Sequence, residues 1–263
     1  MITLDEVIEI LNANRYSWLY GSHQGNDGNQ GNTLEGLLGV KENNLSLPDL
    51  GEIELKTQKV ETSSFLTLFH KEPKPRASIP KLLKCLGWRH QLAGGKYSSD
   101  EMSFRSTTFA NRFSDRGFSI RLASDRIEFI FDPKKVNTSA RDLTSIFATY
   151  GDWLVDVEKR LPHYSSVLPV FWSRCEFEQW CIAKLDNTLL CTFETRRQKG
   201  HEMFKIVDAK IFKGFQSSRL ETLFNNGDVA IDFDARTRHN HGTKLRVKKD
   251  KLGDLFEFSK SIF

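Results

Sequence analysis

From Thr3 to Asn14 the apolar residues recur at helical spacing, with Val7, Ile10 and Leu11 on one stripe. Thr3 stands before that stripe and Glu6 follows three residues later, a capping box that predicts the helix start. Gly21 to Asn32 holds four glycines and reads as a loop whose backbone can approach a ligand closely. Thr33 to Val40 predicts a short helix capped by Asn32 or Thr33, with Glu35 in its first turn. Glu52 to Lys59 alternates apolar and polar residues, the period of a half-buried strand. Ser63 to Phe69 reads as its antiparallel neighbour. Three prolines between Glu72 and Pro80 mark a loop where the chain can pass from one lobe to another. Lys81 to Trp88 has short helical character.

Ser103–Phe109, Gly117–Ala123 and Arg126–Phe131 alternate as a meander, with Asp125-Arg126 in the turn between the last two. Ser139 to Leu161 reads as the longest helix, with Leu143, Ile146, Phe147, Leu154 and Val157 on its apolar side and Pro162 at its end. Strands are expected over Leu189–Thr195 and Met203–Phe212. Ser217–Phe224 reads as a helix stopped by Asn225-Asn226-Gly227. Val229–Phe233 then leads into a basic segment, with Lys244–Val247 as a strand able to pair with it. Helices and strands mix without regular βαβ alternation, so the expected class is α+β, a mixed α/β core.

The chain has 263 residues, enough for one large domain or two lobes. Hydrophobic residues are 39% and charged residues 27%, ordinary for a globular protein. No apolar run reaches membrane-spanning length, and the N-terminus lacks the pattern of a signal peptide, so a cytoplasmic protein without a membrane partner is expected. Cys85, Cys175, Cys181 and Cys191 form no Cys-x-x-Cys pair, which predicts reduced thiols and no zinc site.

The net charge of +4 excludes little, but its distribution is uneven. Arg236 to Lys249 contains Arg236, Arg238, Lys244, Arg246, Lys248 and Lys249, with His239 and His241, and no acid. That cluster suits a polyanion; a solvated hairpin is the plain alternative. His239 and His241, two apart on a turn with no nearby Cys, are a poor zinc set.

The stretch Pro48-Asp49-Leu50-Gly51-Glu52-Ile53-Glu54-Leu55-Lys56-Thr57 carries the chemistry. On a strand, Glu54 and Lys56 share one face, while Ile53 and Leu55 turn to a core. Asp49 enters from the preceding turn. Two carboxylates can hold a hard divalent cation, with the Leu55 carbonyl as a further oxygen ligand. A lysine beside that cation can bind an attacking water and stabilise charge on phosphorus. Taken alone, acid-x-acid-x-Lys on an edge strand is most often a solvated face. Glu35 can support such a site or be an ordinary first-turn glutamate favoured by the helix dipole.

Two blocks taken together, Gly31–Val40 with Leu47–Thr57 and Asp232–Arg246, resemble the MvaI/BcnI family of Type II restriction endonucleases, relatives of the mismatch-repair nicking enzyme MutH. Glu54-Leu55-Lys56-Thr57 is shared with MutH. Asp234-x-Arg236 followed by His239-x-His241 and Arg246 is the more MvaI-like part. The resemblance implies a restriction-endonuclease-like mixed-sheet catalytic core and a second, DNA-recognition lobe across a cleft. The catalytic lobe is expected over residues 1–75 with returning segments from the middle of the chain, and the rest over 76–263, with base reading in 232–249.

It further implies that Asp49 and Glu54 bind Mg²⁺, that Lys56 positions the water, and that Glu35 supports the metal. Asp234, Arg236, His239, His241 and Arg246 would read bases, while Lys244, Lys248 and Lys249 would touch phosphates. The implied activity is Mg²⁺-dependent cutting of double-stranded DNA at a short site of CC-N-GG type, by a monomer that nicks one strand and then the other. A cognate methyltransferase is expected in the same cell. A MutH-like nicking enzyme and a non-catalytic DNA-binding module are the competing expectations.

Overall fold

The computed structural model describes residues 2–23, 25, 28–40, 48–162 and 169–263. Its elements begin with α1 (Leu4–Asn14), β1 (Trp18–Tyr20), α2 (Asn29–Leu37), β2 (Glu54–Lys59), β3 (Leu66–His70) and α3 (Ser78–Leu86). There follow β4 (Trp88–Arg89), β5 (Met102–Thr108), β6 (Arg116–Leu122), β7 (Arg126–Val136), α4 (Tyr150–Glu158), β8 (Phe171–Ser173) and α5 (Arg174–Leu185). The chain closes with β9 (Asn187–Gln198), β10 (His201–Phe215), α6 (Ser217–Asn226), β11 (Val229–Arg236), β12 (His239–Val247) and β13 (Phe256–Ser261). Two compact units result. One comprises Met1–Leu66, Glu178–Arg219 and Lys248–Phe263; the other comprises Thr67–Phe177 and Leu220–Val247. No described helix is long and apolar enough to cross a membrane.

The first unit is built on a mixed sheet of order β1-β10-β9-β2, with β13 also pairing β10. Only β2 and β9 run parallel, with Glu54 opposite Thr188 and Lys59 opposite Phe193. Alternation sorts the two faces. Leu55, Leu189, Cys191, Phe193, Ala209 and Ile211 turn to one side and form a core with Val7 and Leu11 of α1 and Leu34 of α2. Burying each large aliphatic or aromatic side chain there contributes about 1.5–3 kcal/mol. Glu54, Lys56 and Gln58 therefore face the other side. The α1 start is as the sequence predicts: Thr3 accepts from Glu6 N and completes the capping box.

The second unit has a sheet of order β3-β12-β11-β5-β4 and a three-stranded sheet β6-β7-β8. Its core is aromatic. Phe104 meets Phe118 at 5.5 Å and Phe233 at 5.4 Å between ring centroids, and Phe118 meets Trp153 edge-on at 5.8 Å. Buried Arg116 pairs with Asp142 at 2.6 Å and lies 3.7 Å over the Trp88 ring.

Several elements differ from the sequence reading. Helix α2 starts at Asn29, inside the glycine-rich stretch, so Glu35 is not in its first turn and the helix dipole does not explain it. The strand after the motif, β3, does not pair with β2; it lies beside β12 in the other sheet. The partner of β2 is β9, and a parallel pair needs a long crossover, supplied here by the chain up to α5. The meander is broken likewise: β5 pairs with β11 and β4, while β6 pairs with β7. The long helix shrinks to α4. Asp142 accepts from Thr144 N at 3.0 Å and Ser145 Oγ at 2.5 Å, local bonds that compete with a helix. Leu143 and Ile146 are consequently exposed, and a second capping box at Thr149 opens α4. Helix α5 and strands β1, β8 and β13 had no counterpart in the sequence reading.

Candidate active site and nucleic-acid interface

The motif strand places its side chains as alternation requires. Glu54 is 2% exposed and Lys56 12%, and their charged ends are in direct contact. Asp49 lies in the turn before β2, where its Oδ2 accepts from Leu55 N at 2.9 Å. One carboxylate oxygen thus fixes the turn against the strand at the residue whose carbonyl was expected to join the metal. A second lysine, absent from the sequence reading, completes the cluster: Lys184 of α5 places its Nζ 3.0 Å from Glu54 Oε2. Glu35 is half-buried on α2, which packs against β2.

The donor set suits a hard cation. Asp49, Glu54 and the Leu55 carbonyl offer oxygen only, the preference of Mg²⁺. Among the described residues no group of three or more His, Cys, Asp or Glu side chains lies together as a metal site. The thiols are no competitors. All four cysteines are free, and burial pushes Cys191 up to about 12 and raises Cys181 further.

The same sheet face continues into a pocket of about 670 Å³, lined by Gln58, Asp208, Lys210, Lys248, Lys249 and Lys260 among others. Lys249 donates to the Lys59 and Val60 carbonyls at 3.2 and 2.9 Å, so it braces the end of β2. Lys248 and Lys249 belong to the first unit, unlike the rest of the basic block.

In the second unit β11 and β12 form a hairpin, Arg236 facing His239 across a two-residue turn. The register shifts between Phe233 and Ala235: Phe233 faces Thr243, and Ala235 faces Asn240. Strand β12 holds one residue more than β11 there, at His241-Gly242, with Gly242 at φ +86°. This bulge switches side-chain parity. His239 and His241 would otherwise point away from Lys244 and Arg246; the bulge lets all four share the face of Asp232, Asp234 and Arg236. The two histidines stand on a strand, not on the expected turn, their rings stacked at 5.9 Å.

That face is a lattice of opposite charges. Asp234 receives Lys244 at 2.8 Å and Arg105 at 2.9 Å; Arg246 pairs with Asp232 at 3.2 Å, and Arg236 with Glu101 at 3.0 Å. Burial alone would raise the Asp234 carboxyl, but the Lys244 hydrogen bond and the charges of Lys244 and Arg105 hold it below its usual range. It is therefore a fixed acceptor. The basic segment has no acid of its own, yet β11 and its neighbours supply three.

The sequence matches the MvaI/BcnI restriction endonuclease family over residues 8–256. The chain belongs to the MvaI/BcnI restriction endonuclease family. It is accordingly a site-specific deoxyribonuclease. No curated protein matches it. The solved structure of restriction endonuclease MvaI with its cognate DNA substrate shares the fold, at TM-score 0.71 and 22% identity over 99% of this chain and 97% of that one. The structure of MvaI without DNA aligns at TM-score 0.48 and 21% identity over 99% and 100%.

Asp49, Glu54 and Lys56 are gathered in one place by the turn and β2, while Asp234, Arg236, His239, His241, Lys244 and Arg246 share one face of another sheet. Lys184, Arg105 and Glu101 escaped the sequence reading. Only Lys184 had a signal: Phe177, Cys181 and Leu185 are buried at four-residue intervals, which marks α5 as a helix and places Lys184 at its end.

Proposed function

We propose that this protein is a Mg²⁺-dependent Type II restriction endonuclease that hydrolyses one phosphodiester in each strand of a short G/C-rich duplex site, CC-N-GG in type, by nicking the strands in succession as a monomer. The observation that carries the reading is the buried Glu54 carboxylate with Lys56 beside it on one face of β2. Asp49, Glu54 and the Leu55 carbonyl would hold the cation, which supplies Lewis-acid stabilisation of the phosphate when bound. Lys56 Nζ donates a hydrogen bond to the attacking water and balances charge as the water oxygen bonds to phosphorus and releases its proton to solvent, while the P–O bond to the leaving sugar breaks and that oxygen takes a proton from solvent. Glu35 supports the cation from α2.

Recognition falls to the charged face of the second unit. Arg236 and Arg246 can donate twice to guanine O6 and N7, Asp234 accepts from the cytosine amino group, and His239 and His241 donate to guanine. Each cation reaches a base by exchanging an acidic partner for a guanine edge, so a wrong base leaves it better paired in the free protein. Lys244 and Lys248 serve the phosphates, which position without specifying. A cognate methyltransferase would protect the host's own sites.

The test is incubation with plasmid and genomic DNA, with Mg²⁺ and with EDTA, followed by sequencing of the new ends. Discrete ends at one G/C-rich sequence, formed only with Mg²⁺, are expected. Cleavage in EDTA, or ends without a common sequence, would overturn the proposal.

A further inference from the structure

Glu54 is held between two ammonium groups, and only one belongs to the motif. Lys184 comes from α5, far along the chain, yet its contact is built into the fold. Leu185, the next residue, is fully buried. Its carbonyl accepts from the buried Thr188 hydroxyl at 2.9 Å, and Thr188 is the β9 residue paired with Glu54. The end of α5 is therefore tied to the strand that bonds β2, and Lys184, only 14% exposed, is aimed at the Glu54 carboxylate.

Glu54 is one carboxylate facing two ammonium groups, Lys56 and Lys184. A divalent cation arriving at Glu54 must share that carboxylate with both and adds further positive charge to a buried place. A DNA phosphate is the chemical group that can supply the missing negative charge.

We infer that Lys184 is a positioning residue that occupies Glu54 in the metal-free enzyme and thereby makes divalent-metal binding depend on bound DNA. The inference rests on the proposed role of Glu54 as metal ligand. By linkage the dependence is reciprocal: metal strengthens DNA binding by the factor by which DNA strengthens metal binding. An enzyme wired this way holds little metal in its active site until a duplex is in place.

The test is calorimetric Mg²⁺ binding to the DNA-free full chain in wild type, Lys184→Met, Lys184→Arg and Glu54→Gln, with melting in EDTA to verify folding. Lys184→Gln replaces Lys184→Met if the latter does not fold. Removing the charge should tighten Mg²⁺ binding about tenfold or more, whereas Lys184→Arg should stay within about twofold of wild type. The second readout is duplex affinity with and without Mg²⁺, on a site duplex bearing a non-hydrolysable linkage. The enhancement by metal should shrink in Lys184→Met by the same factor. Unchanged Mg²⁺ affinity in Lys184→Met overturns the inference, as does Lys184→Arg behaving like Lys184→Met, because packing rather than charge would then be at work. If Glu54→Gln, with the non-hydrolysable duplex bound, takes up Mg²⁺ like wild type, the metal-ligand reading itself fails, which the Lys184 variants cannot mimic.

Discussion

Of the two ammonium groups at the buried Glu54 carboxylate, Lys56 is the one the proposed mechanism gives the attacking water. Lys56 contacts Glu54 and is 12% exposed, so little water can substitute for it. Lys56→Ala should lower single-turnover cleavage by about 10²- to 10³-fold, the loss typical when one donor to a developing oxyanion is removed. Site-specific binding should persist, since the groups proposed to read bases are on β11 and β12. A gel shift beside a quenched-flow time course measures both, and wild-type cleavage by the variant would remove Lys56 from the mechanism.

Residue chemistry also sets the acid limit. Burial alone would raise the Asp142 carboxyl, but the Ser145 hydroxyl, the Arg116 charge and the Thr144 donors together hold it below its ordinary value. Burial in turn draws Arg116 down to about 10, which leaves it charged at neutral pH. A carboxyl depressed in the folded state stabilises fully above its unfolded value and loses that contribution as pH falls through the folded one. The melting temperature should therefore decline below about pH 4 through this pair. Asp142→Asn strands a buried guanidinium and should cost about 3–5 kcal/mol at neutral pH, with a flatter acid limb in the melting profile.

At the scale of elements, the bulge in β12 decides which side of the sheet His239 and His241 take, on the face proposed to read bases. Gly242 sits at φ +86°, and a Cβ there would come within 2.7 Å of His70 Nδ1. Gly242→Ala should cost about 1–3 kcal/mol from backbone strain. It should also weaken site-specific binding more than binding to random duplex, because His239 and His241 lose their side of the sheet. Gly200, at φ +82° in the β9–β10 turn with no atom within 4 Å of where a Cβ would stand, is the control: Gly200→Ala should cost comparable stability and leave selectivity intact. Equal selectivity loss in both variants would show that the bulge has no special part in reading DNA.

The same element shows what the sequence could and could not disclose. Alternation over Val229–Phe233 and Lys244–Val247 announced two strands, and the hairpin joins them. The histidines between broke the alternation and so were read as a turn; an extra residue inside a strand looks like a turn to any period-two argument. Glu54 and Lys56 were legible because they are two apart on one strand. Lys184 was not, because its nearness to Glu54 depends on a parallel pairing of β2 with β9 that no local pattern encodes. The stretch 139–149 failed differently. Its apolar spacing was helical, but Asp142 spends its carboxylate on local hydroxyls and on Arg116, and that tertiary bond outweighs helix propensity.

At the scale of the whole chain, the residues proposed for catalysis lie in one unit and those proposed to read bases in the other, each unit assembled from segments distant in sequence. The proposed mechanism gives each chain one reaction centre, at the single motif strand in its sequence, and a duplex has two strands to cut. A monomer must therefore release or reorient after the first cut. On a supercoiled plasmid with a single site, the nicked circle should appear before the linear form, and the rate of its formation should rise in proportion to enzyme at sub-saturating concentration. Adding excess unlabelled site duplex after the nick forms should trap enzyme that has dissociated and slow linearisation. A dimer would instead cut both strands in one encounter, give linear product directly from supercoiled DNA, and show a rate rising faster than enzyme concentration. Agarose separation of the three plasmid forms over time, at several enzyme concentrations, distinguishes the two: early accumulation of nicked circle supports the solitary reaction centre, and its absence would require a second chain to complete the cut.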